Sequence, residues 1–286
     1  MIGVDLYLSQ PFAQHALLAG AFVAITCGLI GPFVVTRGMA FAVHGTSELA
    51  FTGAAAGLLV ADNAVVGAMA GALLVALVIG ALGVRERERD SAIGVILAFG
   101  LGLGVLLLSY YHGFATAATN ILFGNIFGVS NGQLVGLLAI GAVVIVVMVV
   151  LYRPLLFASI DAEVADARGV PVRLLGIVFL LVLAFTVTAA AQVVGTLLVL
   201  SLAITPAAAA QRLTPNPIRV TALSVLFALI AADGGILASL GSTTVKPSVF
   251  ITSISFGIYV IARLVGPRVR GRGSSRRGLR SGRRAR

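Results

Sequence analysis

The residues best suited to chemistry are His44 and Glu48, in the stretch MAFAVHGTSELAFTGAAAGLL. Side chains four residues apart share one face of an α-helix. An imidazole nitrogen and a carboxylate oxygen on one face can ligate a divalent first-row cation. The spacing also fits a simpler reading, in which Thr46 or Ser47 caps a helix and Glu48 complements its positive N-terminus. The setting bears on the choice. A helix from Leu49 to Ala61 alone is too short to cross a bilayer, and adding MAFAVHGTSE brings it to spanning length. His44 and Glu48 then lie one to two turns inside, where ionisable groups usually face a cavity or a path.

A second stretch, RPLLFASIDAEVADARGVPVR over 153–173, is the longest polar interruption on its side of the chain apart from the C-terminus. Within it Asp161, Glu163, Ala165 and Gly169 contribute the pattern E-x-A-x-x-x-G. Small residues followed by a Gly break suit a short helix and turn that docks into another protein's groove, although an amphipathic connector has the same look. The outer segment FGNIFGVSN (123–131) is also amphipathic. RERERD (85–90) reads as a charged loop that fixes topology. Tyr110, Tyr111 and His112 sit at a span boundary, where Tyr anchors to the interface. His15 and Asp233 are expected at span ends.

Absences narrow the function. The only Lys is Lys246, and Pro247 follows it. A phosphate-binding G-x-x-x-x-G-K-[ST] loop therefore cannot exist here. No H-E-x-x-H or G-x-S-x-G motif and no pair of catalytic carboxylates appears. The chain is read as a non-enzyme, and any ATP hydrolysis must belong to a separate partner. Cys27 stands alone in an apolar segment, which excludes a disulfide framework or a thiolate metal cluster.

The elements that must hold these residues are membrane helices. Hydrophobic residues make up 59% of the chain and charged residues only 10%, against about a quarter charged in soluble domains. Apolar runs predict spans at 14–36, 39–61, 64–84, 92–110, 132–152, 173–190, 193–211, 217–234 and 248–266. A tight turn near Gln192 divides the seventh from the sixth, Pro206 kinks the seventh, and 234–247 (GGILASLGSTTVKP) reads as a loop or re-entrant turn. The fold class is thus an all-α integral membrane protein with about nine transmembrane helices. One side of this arrangement receives Arg37, Arg85, Arg87, Arg89, Arg153, Arg168, Arg173, Arg212, Arg219 and the C-terminal run, while the other receives only Lys246. The positive-inside rule then places the N-terminus outside and the C-terminus inside. There is no basic n-region, so no cleavable signal peptide is expected. The 34 glycines favour close helix packing in lipid.

The net charge of +10 comes from the end of the chain. Nine Arg lie between Arg268 and Arg286, leaving 11 of the 20 basic residues against all 10 acidic ones. The expected organisation is a transmembrane permease domain over 1–266 and a disordered, Arg-rich cytoplasmic tail over 267–286. Anionic headgroups suit such a tail, and no nucleic-acid partner is expected.

Taken in order, FVVTRGMAFAVHGTSELAFTGAAAGLL, SAIGVILAFGLGLGVLLLS, ILFGNIFGVS, FASIDAEVADARGV, VVGTLLVLSLAITPAAAAQR and the GG…KPS near the end resemble the zinc/manganese permease family of ATP-binding-cassette importers, over about residues 20–266. The resemblance implies a homodimeric permease in the cell membrane, a cytoplasmic ATP-binding-cassette ATPase and an extracytoplasmic metal-binding protein. The loop around Asp161, Glu163, Ala165 and Gly169 would be the segment that meets the ATPase. Family members commonly show Asp and His four residues apart in the second span. Here His44 stands at the Asp position and Glu48 at the His position. The metal ion is then transported substrate, with no permanently bound cofactor. Zinc is the first expectation, with manganese and iron as alternatives. The competing readings are an ion-coupled secondary transporter that needs no ATPase, which the scarcity of intramembrane acids disfavours, and a membrane scaffold or sensor.

Overall fold

A computed structural model describes residues 10–82, 86–112, 114–241 and 245–281, with side chains left out at 81, 82, 86–90, 92, 114, 115, 117–119 and 267–281. In chain order the helices are α1 (Pro11–Thr36), α2 (Ala40–Ala61), α3 (Ala64–Leu82), α4 (Glu86–Ser109), α5 (Phe114–Phe123), a 3₁₀ turn (Ile126–Gly128), α6 (Asn131–Ile160), α7 (Ala162–Ala167), α8 (Val172–Val194), α9 (Val199–Ala203), α10 (Thr205–Leu213), α11 (Pro217–Leu240) and α12 (Pro247–Ser281). No strand occurs among the described residues. In lipid a continuous helix satisfies its own backbone groups, so long apolar runs resolve into helices.

Five described helices are long and apolar enough to cross a membrane: 11–36, 131–160, 172–194, 217–240 and 247–266. Shorter apolar helices cover 64–80, 93–109 and 199–213. α2 falls outside both groups because the polar run from His44 to Glu48 lowers its hydropathy. Burial orders the bundle: the apolar window of α1 is 67% buried and that of α6 only 28%. α6 turns Val143, Val146, Val149 and Val150 outward, a surface that suits lipid.

Glycines bring α2 and α3 together. Gly53 and Gly57 on α2 face Gly67 and Gly71 on α3, and a Cβ on Gly57 would come within 2.8 Å of the Gly67 Cα. Both helices therefore carry the G-x-x-x-G spacing that lets backbones touch. Asp62, at φ 49°, closes α2. Asn63 Oδ1 accepts from the amides of Val65 and Val66 and starts α3. The Tyr111 hydroxyl donates to Asp62 Oδ1 at 3.2 Å and ties the end of α4 to this corner.

Several boundaries differ from the sequence expectation. α6 runs unbroken to Ile160 through Pro154, so the polar stretch expected to begin at Arg153 starts as helix. The charged run at 86–90 is the beginning of α4 in backbone outline, and Arg85 lies outside the described residues. α11 continues to Leu240, so most of the GGILASL stretch expected as a loop is helical. Tight packing explains this: a Cβ on Gly235 would meet the backbone of Ile251 on α12 at 2.6 Å. The backbone of α12 continues helically past Gly266 to Ser281, and residues 282–286 lie outside the description.

The expected turn near Gln192 falls slightly later. α8 ends at Val194, and Gly195 adopts φ +86°. Residues 195–198 then leave the helix before α9. Pro206 sits in the first turn of α10, after the break at Ile204. A proline lacks a backbone donor and is best accommodated at such a start.

Candidate functional site

α2 carries His44 and Glu48 about 6 and 12 Å along its axis from Ala40, at 1.5 Å per residue. Glu48 is 3% exposed, and His44 is half-buried. The two groups interact electrostatically. His44 Nδ1 and Glu48 Oε2 are both buried without a hydrogen-bond partner. Buried polar atoms are nearly always paired, so these two unpartnered atoms one turn apart make the pair a candidate ligand site. Among the described residues, no group of three or more His, Cys, Asp or Glu forms. This chain therefore offers two side-chain ligands, one nitrogen and one oxygen.

The neighbouring polar residues are committed elsewhere, which excludes the simpler capping reading. The Thr46 hydroxyl donates to the Ala42 carbonyl at 2.7 Å, inside the helix. The N-cap is Met39, with no side-chain bond. Thr52, four residues after Glu48, donates to the Gly100 carbonyl of α4 at 2.6 Å. Glu48 thus lies on the α4-facing side of α2.

Ser47 faces the other way. Its hydroxyl donates to the main-chain carbonyl of Thr196, in the non-helical stretch after α8. That stretch is held against the end of α5: Thr196 N donates to Ile121 O at 3.1 Å and Leu197 N to Leu122 O at 3.3 Å. Gly124 and Gly195 cross at close range, both with positive φ. Any side chain there would collide with backbone, so glycine is required at the crossing. Non-helical backbone at membrane depth is tolerated when protein groups satisfy it. The Thr196 hydroxyl itself has no partner and is buried.

Ala50 and Ala54, which share the Ser47 face, border a cavity of about 210 Å³ reaching Thr196. Its polar lining includes the carboxamides of Asn120, Asn125, Gln133 and Gln192. Sequence reasoning offered Ser47 only as a helix cap and Gln192 only as a turn, and missed Thr196 and the other amides. The available signal was a Gly-Thr pair after Gln192, inside an otherwise apolar run.

The predicted coupling residues come together as one small unit. Asp161 is the N-cap of α7, its Oδ1 accepting from Val164 N at 3.0 Å. Ala165 is fully buried, whereas Asp161 and Glu163 are exposed. Gly169 turns the chain at φ +81°. The E-x-A-x-x-x-G pattern thus has a physical basis: a small residue seats the helix, glycine ends it, and the acid points outward. Ile160 and Val164 add exposed apolar surface.

Asp233 does not sit at a span end as expected. Because α11 continues to Leu240, it lies inside that helix, against Gly20 of α1, with Oδ1 buried and unpartnered. His15 lies in the second turn of α1, and His112 is exposed after α4. None of the three joins His44 and Glu48 in a metal-binding group.

The chain is 33% identical over 233 residues to a manganese transport system membrane protein, MntC, of Halalkalibacterium halodurans, covering 81% of this chain and 80% of that one. It is 32% identical over 246 residues to the manganese transport system membrane protein MntD of Bacillus subtilis, covering 79% and 83%. Its structure matches PsaBC from Streptococcus pneumoniae, solved in complex with Fab, at a TM-score of 0.84 and 28% identity over 94% of this chain and 98% of that chain. The model of the ABC 3 transport family matches residues 9–266, which takes in every helix described above except the end of α12. With its apolar helices and that match, the chain is a multi-pass protein of the cell membrane and belongs to the ABC 3 transport family.

Proposed function

We propose that this chain is the membrane-spanning permease subunit of an ATP-driven importer of divalent metal ions. The observation that carries the reading is the pair of unpartnered buried atoms, His44 Nδ1 and Glu48 Oε2, one turn apart on α2. A site for cargo must bind weakly enough to release, and two ligands serve that better than a closed cage. Water can complete the coordination set around the two side chains, and the expected homodimer would carry two such pairs.

The relatives' names support manganese as cargo. One imidazole and one carboxylate, with no thiolate, suit manganese as well as zinc or iron. About nine crossings follow if α9 and α10 together count as one broken span. The N-terminus would face outside and the arginine-rich ends inside. An extracytoplasmic metal-binding protein would deliver the ion, and a cytoplasmic ATPase would grip α7. The ion-gradient alternative gains nothing from family membership. The chain's only Lys precedes Pro247, so the nucleotide must bind on another subunit.

Uptake of radioactive manganese by cells expressing the chain and its partners tests the reading, with zinc and iron as competitors. Glu48→Ala should abolish uptake while leaving membrane insertion intact. Unchanged uptake in that variant would remove Glu48 from the mechanism.

A further inference from the structure

A cavity of about 580 Å³ lies between the α1–α2 corner, α3, the α6–α7 corner and the start of α8. Two arginines line it, Arg37 and Arg173, and among the lining residues there is no acid. Arg37 is set in place: its Nε donates to Ser159 Oγ at 2.7 Å, and its guanidinium stands 5.3 Å above the Phe179 ring. Arg173 is exposed on the first turn of α8. The carboxylates nearest Arg173 along the chain, Asp166, Glu163 and Asp161, belong to α7 and its cap and are exposed outside the cavity lining. The rest of the wall is apolar, with Ile79 from α3 and Ile177 and Leu180 from α8. Positive charge at one end and aliphatic side chains at the other match an amphiphile with an anionic head.

We infer that this cavity binds the phosphate headgroup of an anionic glycerophospholipid, with Arg37 and Arg173 on the phosphate and the acyl chains along Ile79, Ile177 and Leu180. Planar guanidinium groups suit phosphate oxygens. Basic pockets between helices at the cytoplasmic face favour anionic headgroups. Placement in the inner leaflet rests on the orientation proposed above, whereas the phosphate chemistry does not. Ala162, the first residue of α7, also lines the cavity. A lipid there would touch the element proposed to meet the ATPase, so anionic lipid would tune coupling.

The test uses the full chain, purified in mild detergent with the subunits that accompany it. It is equilibrated with equal phosphatidylglycerol and phosphatidylcholine, and retained lipid is counted by native mass spectrometry. The parent should prefer phosphatidylglycerol by up to about twenty-fivefold, about fivefold for each arginine near an anionic headgroup. Arg173→Ala should cut the preference about fivefold and Arg173→Lys should keep it. Gly176→Leu is the uncharged arm: Gly176 lines the cavity and a Cβ on it meets nothing within 4 Å, so a side chain can start into the cavity there and gains helix propensity. It should expel the lipid with both arginines in place. Full retention in Gly176→Leu, or displacement by excess inorganic phosphate alone, would assign the arginines to a free anion and overturn the lipid site. Unaltered lipid retention in Arg173→Ala with release of the co-purifying ATPase would give the cavity to that protein instead. Lipid counting is independent of transport, so these outcomes stand whatever metal is carried.

Discussion

The Ser47 hydroxyl donates to the main-chain carbonyl of Thr196 and so joins α2, one residue before Glu48, to the only stretch where the 172–203 region leaves its helix. Glu48 is the next residue along α2. The position of the carboxylate and the geometry of the break are therefore coupled. A movement that re-forms the helix at 195–198 would pull on α2 beside Glu48.

Replacing Ser47 with Ala leaves a buried carbonyl without its donor, at a cost of about 1–3 kcal/mol. Thermal unfolding in detergent should show that loss. Manganese uptake should fall with it although no ligand has changed. A variant with parental stability and uptake would show that the bond is incidental.

The order of the ligands is testable by exchange. His44→Asp combined with Glu48→His keeps one imidazole and one carboxylate on the same face, and uptake should persist. Glu48→Ala alone should lower uptake by at least about tenfold, since even groups that merely orient a metal ligand are worth about 10–100-fold in affinity. If the exchanged pair is as inactive as the single variant, the site depends on which helix turn carries the nitrogen.

Gly67→Ala tests whether the approach of α2 to α3 positions the site. A methyl there would press on Gly57 and Gly53 backbone atoms. Overpacking of this kind costs about 1–3 kcal/mol. The unfolding temperature should drop and metal uptake should weaken. Gly102→Ala, where a Cβ meets nothing within 4 Å, is the matched control and should lower neither.

Ala165→Leu should unseat α7, because that side chain is fully buried, and Gly169→Ala should strain the turn by about 1–2 kcal/mol. Both should reduce the amount of ATPase that co-purifies with the chain. Binding of metal alone, followed by fluorescence or calorimetry, should be unchanged. Equal recovery of the ATPase with both variants would move the contact elsewhere.

At the corner between α2 and α3, the hydrogen bond to Asp62 and the negative charge beside it raise the Tyr111 phenol above its ordinary range. The phenol therefore stays neutral, and a donor, to higher pH than a free tyrosine. Asp62→Asn removes the charge and should bring the phenol back toward its usual value of about 10. Ultraviolet titration, taken as the difference from Tyr111→Phe, measures the shift. No change would show that Asp62 does not govern it.

Much of this was legible in the residues themselves. Apolar runs specify membrane helices because lipid leaves the backbone no other partner. Helical periodicity alone puts His44 and Glu48 on one face, and E-x-A-x-x-x-G announces a short helix with a small seat and a glycine stop. The misplaced boundaries share one cause. Gly, Ser and Arg at 153–160 and 234–240 look like loop residues locally, but packing of α11 on α12 and continuation of α6 keep them helical.

Sequence determined that this chain lives in a bilayer, that it cannot bind nucleotide through a P-loop, and which two side chains could meet a metal. Tertiary structure decided which of their atoms stay unpaired, that Ser47 clasps the broken stretch at Thr196, and that Arg37 and Arg173 share a cavity. Periodicity and composition are properties of neighbouring residues, so they can be read along the chain. Thr196 lies far from Ser47 in sequence, and Arg173 from Arg37, so only the packing of helices against one another brings them together.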